Sequence, residues 1–335
     1  MKALVLGGGS IGTRHLRNLA AVGVGELGVV DTDPQRLAGL ASDCDATLFA
    51  QLEAGMTWSP DFVVVATPTN LHARHALETA RRGCDVFVEK PLSHSPGQLA
   101  ELAQMVERKN LISLVGCNMR FHPGPAKVKE LLAKGVLGRI LFARVHAGSY
   151  LPDWRPGADY RSNYAAREAT GGGCILDFIH EIDLTRWYLG DVQDVVCVTA
   201  HTGSLEISTE DVAVLVGRHA TGALSEIHLD YVQRTYERGC QIVGERGSIF
   251  WDFAARQVRW FDAASGNWAT FSQPVGWELN DMYRDEMQHF VECVRARRPT
   301  VLPIPEAVSV MQIAFAAKTS ARDGRIVAVG EEVPA

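Results

Sequence analysis

Over residues 1–121 the apolar residues come in short unbroken runs: at 3–6, up to Asp31, at 61–66, at 85–89 and at 111–115. Between them, apolar residues recur at helical spacing. Unbroken runs suit strands buried on both faces of a parallel sheet, and the intervening helices suit its crossovers. Helices are expected up to about 22, from Pro34, over 71–82 and over 97–109, with Asp33 capping the second. After a further helix at about 125–134 the pattern changes. Strand-like runs dominate at 140–147, 195–201, 211–217, 223–231, 236–243, 248–253 and 257–261. In 223–231, Ala223, Ser225, Ile227, Leu229 and Tyr231 alternate with Leu224, Glu226, His228 and Asp230, the period of a sheet covered on one face. Two helices, 279–297 and 305–321, close the chain. The expected fold is α/β: a parallel sheet with crossover helices over 1–121, then an α+β domain over 122–335 with a mostly antiparallel sheet.

The first strand runs into Gly7-Gly8-Gly9-Ser10-Ile11-Gly12, a helix opens through this turn, and Asp31 stands 19 residues after Gly12 at the end of the second strand. Strand, glycine turn, helix and acid together make a dinucleotide-binding fingerprint. Gly7 makes the tight turn, Gly9 lets backbone approach a pyrophosphate, and Gly12 lets the helix pack close to the sheet. The phosphates would sit at the N–H groups around Ser10 and Ile11, where the helix dipole favours an anion. Asp31 would accept hydrogen bonds from the ribose hydroxyls, and its charge opposes a 2′-phosphate. NAD is therefore expected, while Arg14 and Arg36 leave NADP open.

Ligands of open α/β sheets bind at the carboxyl ends of the strands. The turn Thr67-Pro68-Thr69-Asn70 and the end Glu89-Lys90-Pro91 both have this address. Thr67, Pro68, Asn70 and Glu89 are expected to line the cofactor groove. His72 could join them or lie on the surface at the start of its helix. Lys90, held out of helical geometry by Pro91, is a catalytic candidate. Asn118 and Arg120 follow the next strand.

The chain has 335 residues, a formal charge of −6 and 47% hydrophobic residues. That is ample for two cores, and the net negative charge argues against a nucleic-acid partner. Seven scattered cysteines without a CxxC pair suit reduced thiols in the cytoplasm. Neither a run of about 18 apolar residues nor a signal-peptide core is present, so no membrane association is expected.

Residues 148–170 form a long stretch with no regular pattern, rich in Trp154, Arg155, Tyr160, Arg161, Tyr164 and Arg167. Guanidinium groups beside aromatic rings suit a sugar that bears a carboxylate or phosphate. The other reading is a surface loop packed on its own aromatic residues. Following Gly171-Gly172-Gly173, a helix is expected with Ile175, Phe178, Ile179, Ile182 and Leu189 on one face. Asp177, His180 and Asp183 share another arc, with Glu181 beside them, where they could face a cleft. His180 is the natural acid/base group and Asp177 or Asp183 could orient it. The three are acceptable metal ligands, but their spacing carries no metal signature, and no metal is expected. Arg186 interrupts the apolar stripe and calls for snorkelling or an ion pair.

The ordered segments GGGSIG, ATPTNLH, EKP at 89–91, GCNMRF, GGGCILDFIHEID and SARDGRIV resemble the glucose-fructose oxidoreductase, inositol dehydrogenase and rhizopine catabolism (Gfo/Idh/MocA) family over essentially the whole chain. The resemblance implies an N-terminal Rossmann domain and a C-terminal domain whose large open sheet joins dimers or tetramers. It also implies hydride transfer between a nicotinamide and a secondary alcohol or ketone of a sugar or cyclitol. Lys90 matches the lysine that contacts substrate and nicotinamide ribose, and His180 and Asp177 resemble the acid/base histidine and the aspartate before it. Many members place three residues between that aspartate and histidine; this chain has two, Phe178 and Ile179. The segment around LPDWRP resembles a branch associated with bacterial surface polysaccharides, which implies an acidic sugar or sugar nucleotide held by Asn118, Arg120, Trp154, Arg155, Tyr160, Arg161 and Asp183. Other members use bound NAD for elimination or glycoside hydrolysis without net redox, or bind the dinucleotide as regulators.

Overall fold

The computed structural model describes residues 1–331. Contacts divide the chain into two compact units, one of residues 1–118 with 278–308, the other of 119–277 with the chain from 309 onward.

In the first unit the elements run β1 (Lys2–Leu6), α1 (Ser10–Ala21), β2 (Glu26–Val30), α2 (Pro34–Asp43), β3 (Thr47–Phe49), α3 (Leu52–Thr57), β4 (Phe62–Val65), α4 (His72–Arg81), β5 (Asp85–Glu89), α5 (Leu99–Arg108) and β6 (Ser113–Gly116). The strands pair in parallel in the order β3-β2-β1-β4-β5-β6. The order reverses between β1 and β4, and a crevice at such a switch point is where doubly wound sheets take ligands. Phe62, Val63, Val64 and Val65 are wholly buried, as an interior parallel strand demands. Asp33 accepts from Gln35 N at 2.9 Å and Pro34 stands in the first turn, so α2 begins where the cap and the proline together direct it.

The second unit contains α6 (Pro123–Ala133), β7 (Ile140–Gly148), α7 (Cys174–Asp177), α8 (Ile179–Leu189), β8 (Val192–Ala200), β9 (Val212–His219), β10 (Leu224–Asp230), β11 (Glu237–Gly244), β12 (Gly247–Asp252), β13 (Gln257–Asp262) and β14 (Asn267–Ser272). The chain ends in α9 (Leu279–Ala296), α10 (Ile304–Asp323) and β15 (Val327–Ala328). The nine-stranded sheet has the order β14-β13-β12-β11-β7-β10-β9-β8-β15, antiparallel throughout except for the pair β7 and β10. Helices α6, α7 and α8 cover one face. Alternation in β10 holds: Ser225, Ile227 and Leu229 are buried, and Leu224 is exposed on the other face. Asp230 departs from the pattern because its carboxylate turns inward to accept from the N–H groups of Val232 and Gln233.

Sequence pattern placed α9 in the second domain, but the contacts group it with the first. Phe290 meets Phe62 of β4 and Phe87 of β5 edge-on at 5.3 and 5.8 Å, and its burial is worth about 1.5–3 kcal/mol. The short elements β3, α3, β14 and β15 lie outside the sequence expectation. The edge strands β3 and β15 have three and two residues, too few to show a period.

Candidate active site

In the first unit the glycine turn is built by sterics. Gly7 has φ +98°, and a Cβ on it would stand 2.6 Å from the Ala66 carbonyl oxygen. A Cβ on Gly12 would fall 1.8 Å from the Gly7 oxygen, so helix and turn can approach this closely only as glycines. Gly9 is the N-cap of α1, offers no side-chain cap, and has open space where a Cβ would project. The first-turn N–H groups around Ser10 and Ile11 therefore face outward with no acid among them, a cradle for a pyrophosphate. Asp31 is 7% exposed and accepts from Gly8 N at 2.7 Å and Asp33 N at 2.8 Å. Its remaining lone pairs suit ribose hydroxyls. Arg36 sits 3.7 Å from Asp31 and 3.4 Å from Asp33, whereas Arg14 lies over the Tyr283 ring at 4.4 Å. These groups fit NAD.

At the neighbouring strand ends, Thr67 Oγ1 meets His75 Nδ1 at 3.1 Å, and Pro68 and Asn70 are exposed. His72 is buried rather than on the surface. Its Nδ1 lies 2.8 Å from the Pro91 carbonyl oxygen and its Nε2 lies 2.7 Å from that of Thr67, so the ring ties the two loops together. Burial pushes its pKa down, and a neutral ring donates to only one of these oxygens. Glu89 accepts from His15 Nε2 at 2.6 Å and from the Lys90 backbone N–H at 3.2 Å. Burial opposes ionisation of Glu89, but the hydrogen bond with His15 and the charge of Lys90 prevail and hold its pKa below the usual value. Lys90 is half-buried and its peptide bond to Pro91 is cis. His15 escapes sequence reasoning because the pairing of α1 with the end of β5 has no local signature.

In the second unit the expected continuous helix breaks at Phe178, whose φ of −93° and ψ of 34° separate α7 from α8. Nor is there a solvent-facing polar arc. Asp177, His180, Glu181 and Asp183 are 3%, 7%, 0% and 0% exposed, so each acid must be met by protein. Asp183 takes both arms of Arg120, at 2.9 and 2.7 Å. Glu181 pairs with Arg238 at 2.8 Å. Asp177 accepts from the Tyr231 hydroxyl; burial and then the Asp177 charge raise the Tyr231 pKa well above its ordinary value, so it stays a donor. Sequence reasoning does not single out Tyr231 or Arg238 as site residues, although Tyr231 ends the covered-face alternation of 223–231. Arg186 pairs with Asp191 at 2.8 Å, which resolves its place among apolar neighbours.

The stretch 148–170 folds into four short 3₁₀ turns. Trp154 packs edge-on against Phe178 and Tyr231 at 5.7 and 5.4 Å and donates to Ser149 Oγ. The Tyr160 hydroxyl accepts from Glu206 N, and exposed Arg161 pairs with Asp159 and Glu206. Arg155 is exposed, and Asn118 is buried in the first unit.

A doubly wound sheet with an uncapped glycine turn and a buried acid at the end of its second strand, followed by a mixed nine-stranded sheet, is the architecture of a dinucleotide-dependent oxidoreductase of two units. Residues 1–117 match the oxidoreductase family with an NAD-binding Rossmann fold, and 126–250 match the GFO/IDH/MocA C-terminal domain. The chain belongs to the Gfo/Idh/MocA family of NAD-binding oxidoreductases. It is 30% identical to inositol 2-dehydrogenase 2 of Saccharopolyspora erythraea over 86% of this chain and 83% of that one. It is 25% identical to the NAD(+)-dependent scyllo-inositol 2-dehydrogenase of Bacillus subtilis over 97% and 95%. The fold matches a levoglucosan dehydrogenase solved with NADH and levoglucosan, with a TM-score of 0.90 at 20% identity over 99% and 100% of the two chains.

Proposed function

We propose that this enzyme transfers hydride between NAD and a secondary alcohol or ketone of a sugar-like substrate: a cyclitol, an acidic sugar or a sugar nucleotide. Bound NAD supplies hydride acceptance at its nicotinamide. His180 takes the hydroxyl proton, Lys90 stabilises the developing alkoxide, and the Tyr231 hydroxyl holds Asp177 in place beside the segment that carries His180. One observation carries this reading. The acids around His180 are each engaged, Asp177 by Tyr231, Glu181 by Arg238 and Asp183 by Arg120, so the imidazole is the group suited to exchange a proton with substrate. The break at Phe178 supports the role of His180 despite the shortened interval from Asp177, because a helix interruption resets the rotation between the two residues. Asn118, Trp154, Arg155, Tyr160 and Arg161 are assigned to the substrate side with Arg120 and Asp183, the last two acting as a preformed pair.

A homodimer or homotetramer through the second sheet is part of this proposal. Its uncovered face shows Phe142, Val198, Val216, Leu224 and Trp268, with Val198 70% exposed, an apolar surface larger than solitary residues would make. Cytoplasmic residence is supported by seven cysteines without a disulfide, and among the described residues no helix is long and apolar enough to cross a membrane. The test is NADH formation, with NAD and NADP in parallel, across cyclitols, sugars, acidic sugars and sugar nucleotides. Turnover that falls about 10²–10⁴-fold in kcat for His180→Ala and for Lys90→Met supports the mechanism. Cleavage of a substrate bond without net NADH, or NAD binding without any turnover, refutes it.

A further inference from the structure

A cavity lies wholly within the second unit, between the start of α6 and strands β12 to β14, with a volume of about 150 Å³. None of the residues assigned above to cofactor or substrate lines it. His122, the N-cap of α6, is 1% exposed and lines this cavity. Its Nδ1 accepts from Gly124 N at 3.0 Å, which fixes the tautomer with the proton on Nε2. No described residue accepts from that Nε2. Two cations share the lining. Lys127 lies 4.9 Å above the Phe271 ring and pairs with Glu130 on the outward side. Arg256 donates to the Trp277 carbonyl and, with the Gln273 amide oxygen turned toward it, to Gln273; it has no carboxylate partner among the described residues. The lining contains no acid. Its remaining wall is apolar, from Trp251, Val258 and Phe271.

We propose that this cavity binds a small carboxylic acid, its carboxylate held by Arg256, Lys127 and the His122 Nε2–H, its apolar body against Trp251 and Phe271. The complementarity is of three kinds. A buried N–H without an acceptor favours any oxygen that reaches it. A guanidinium with only carbonyl partners accepts a carboxylate as its counter-ion. The apolar wall of Trp251, Val258 and Phe271 takes the hydrocarbon part of the acid. The local field agrees: after burial, the charges of Arg238 and Arg256 push the His122 pKa down to about 4, so the ring is a neutral donor at neutral pH. The volume, equal to about five waters at ~30 Å³ each, limits the guest to a small acid.

The test is calorimetric titration of the full-length enzyme, saturated with NAD, using benzoate, acetate and inorganic phosphate separately. Saturable benzoate binding is expected, tighter than acetate. Arg256→Gln, an exposed position whose replacement leaves the core intact, and His122→Asn, which keeps an N-cap, should each weaken it about 10-fold or more. Lys90→Met should bind benzoate unchanged, which separates this cavity from the proposed substrate site. Absence of saturable benzoate binding, binding of phosphate alone, or binding unaffected by both cavity variants would overturn the assignment.

Discussion

Replacing Asp183 with Asn decides whether the Arg120–Asp183 pair holds the second unit together or merely awaits a substrate. The two side chains are 3% and 0% exposed and meet through two hydrogen bonds of 2.9 and 2.7 Å, with the guanidinium 5.0 Å from the Trp187 ring. At an effective dielectric of about 20, opposite charges at that separation attract by roughly 6 kcal/mol, and desolvation offsets most of it. Removing one partner leaves the other charge buried, so Asp183→Asn should cost about 3–5 kcal/mol, against a total stability of roughly 5–15 kcal/mol. Urea denaturation followed by circular dichroism measures this directly, with the midpoint expected to fall and the slope to hold. A double replacement, Arg120→Met with Asp183→Leu, should recover most of the loss because no stranded charge remains. If Asp183→Asn shifts stability by less than about 0.5 kcal/mol and changes only KM, the architectural reasoning fails and the pair belongs to substrate alone.

Asp31→Ser should raise the KM for NAD about 10- to 100-fold and narrow the preference over NADP, since it removes charged acceptors beside the ribose; an unchanged NAD KM would show that Asp31 serves only Gly8 and Asp33. Gly12→Ala should destabilise the first unit by about 3 kcal/mol or more and abolish NAD binding, because the added methyl would stand 1.8 Å from the Gly7 oxygen; normal NAD affinity in a titration would contradict this. His122 has a folded pKa of about 4, depressed from 6.5, so its stabilising contribution is complete above pH 6.5 and is lost as pH falls toward 4. The difference between the enzyme and His122→Asn should therefore change by up to about 3 kcal/mol across that window, and parallel pH profiles would sink the idea.

The first unit was legible because its signals are local. Gly12 answers to the Gly7 carbonyl and Asp31 to the Gly8 N–H, demands made inside one strand-turn-helix-strand segment. Unbroken apolar runs likewise announced parallel strands, and the alternation in 223–231 announced a sheet covered on one face. Helical spacing failed over 174–189, since it assumes one continuous helix with a wet side. Phe178 interrupts that helix, and the acids beside it are buried among partners brought from distant chain positions.

What the sequence by itself determined was therefore the class of fold and the glycine turn after the first strand, both set by residue type and pattern along the chain. Only the tertiary structure decided which charges meet: His15 with Glu89 across 74 residues, Arg120 with Asp183 across 63, Glu181 with Arg238 across 57. It also placed α9 in the first unit, through the burial of Phe290. Such choices follow from the cost of burying a charge without a partner, and that cost is set only once the chain has folded and water has left.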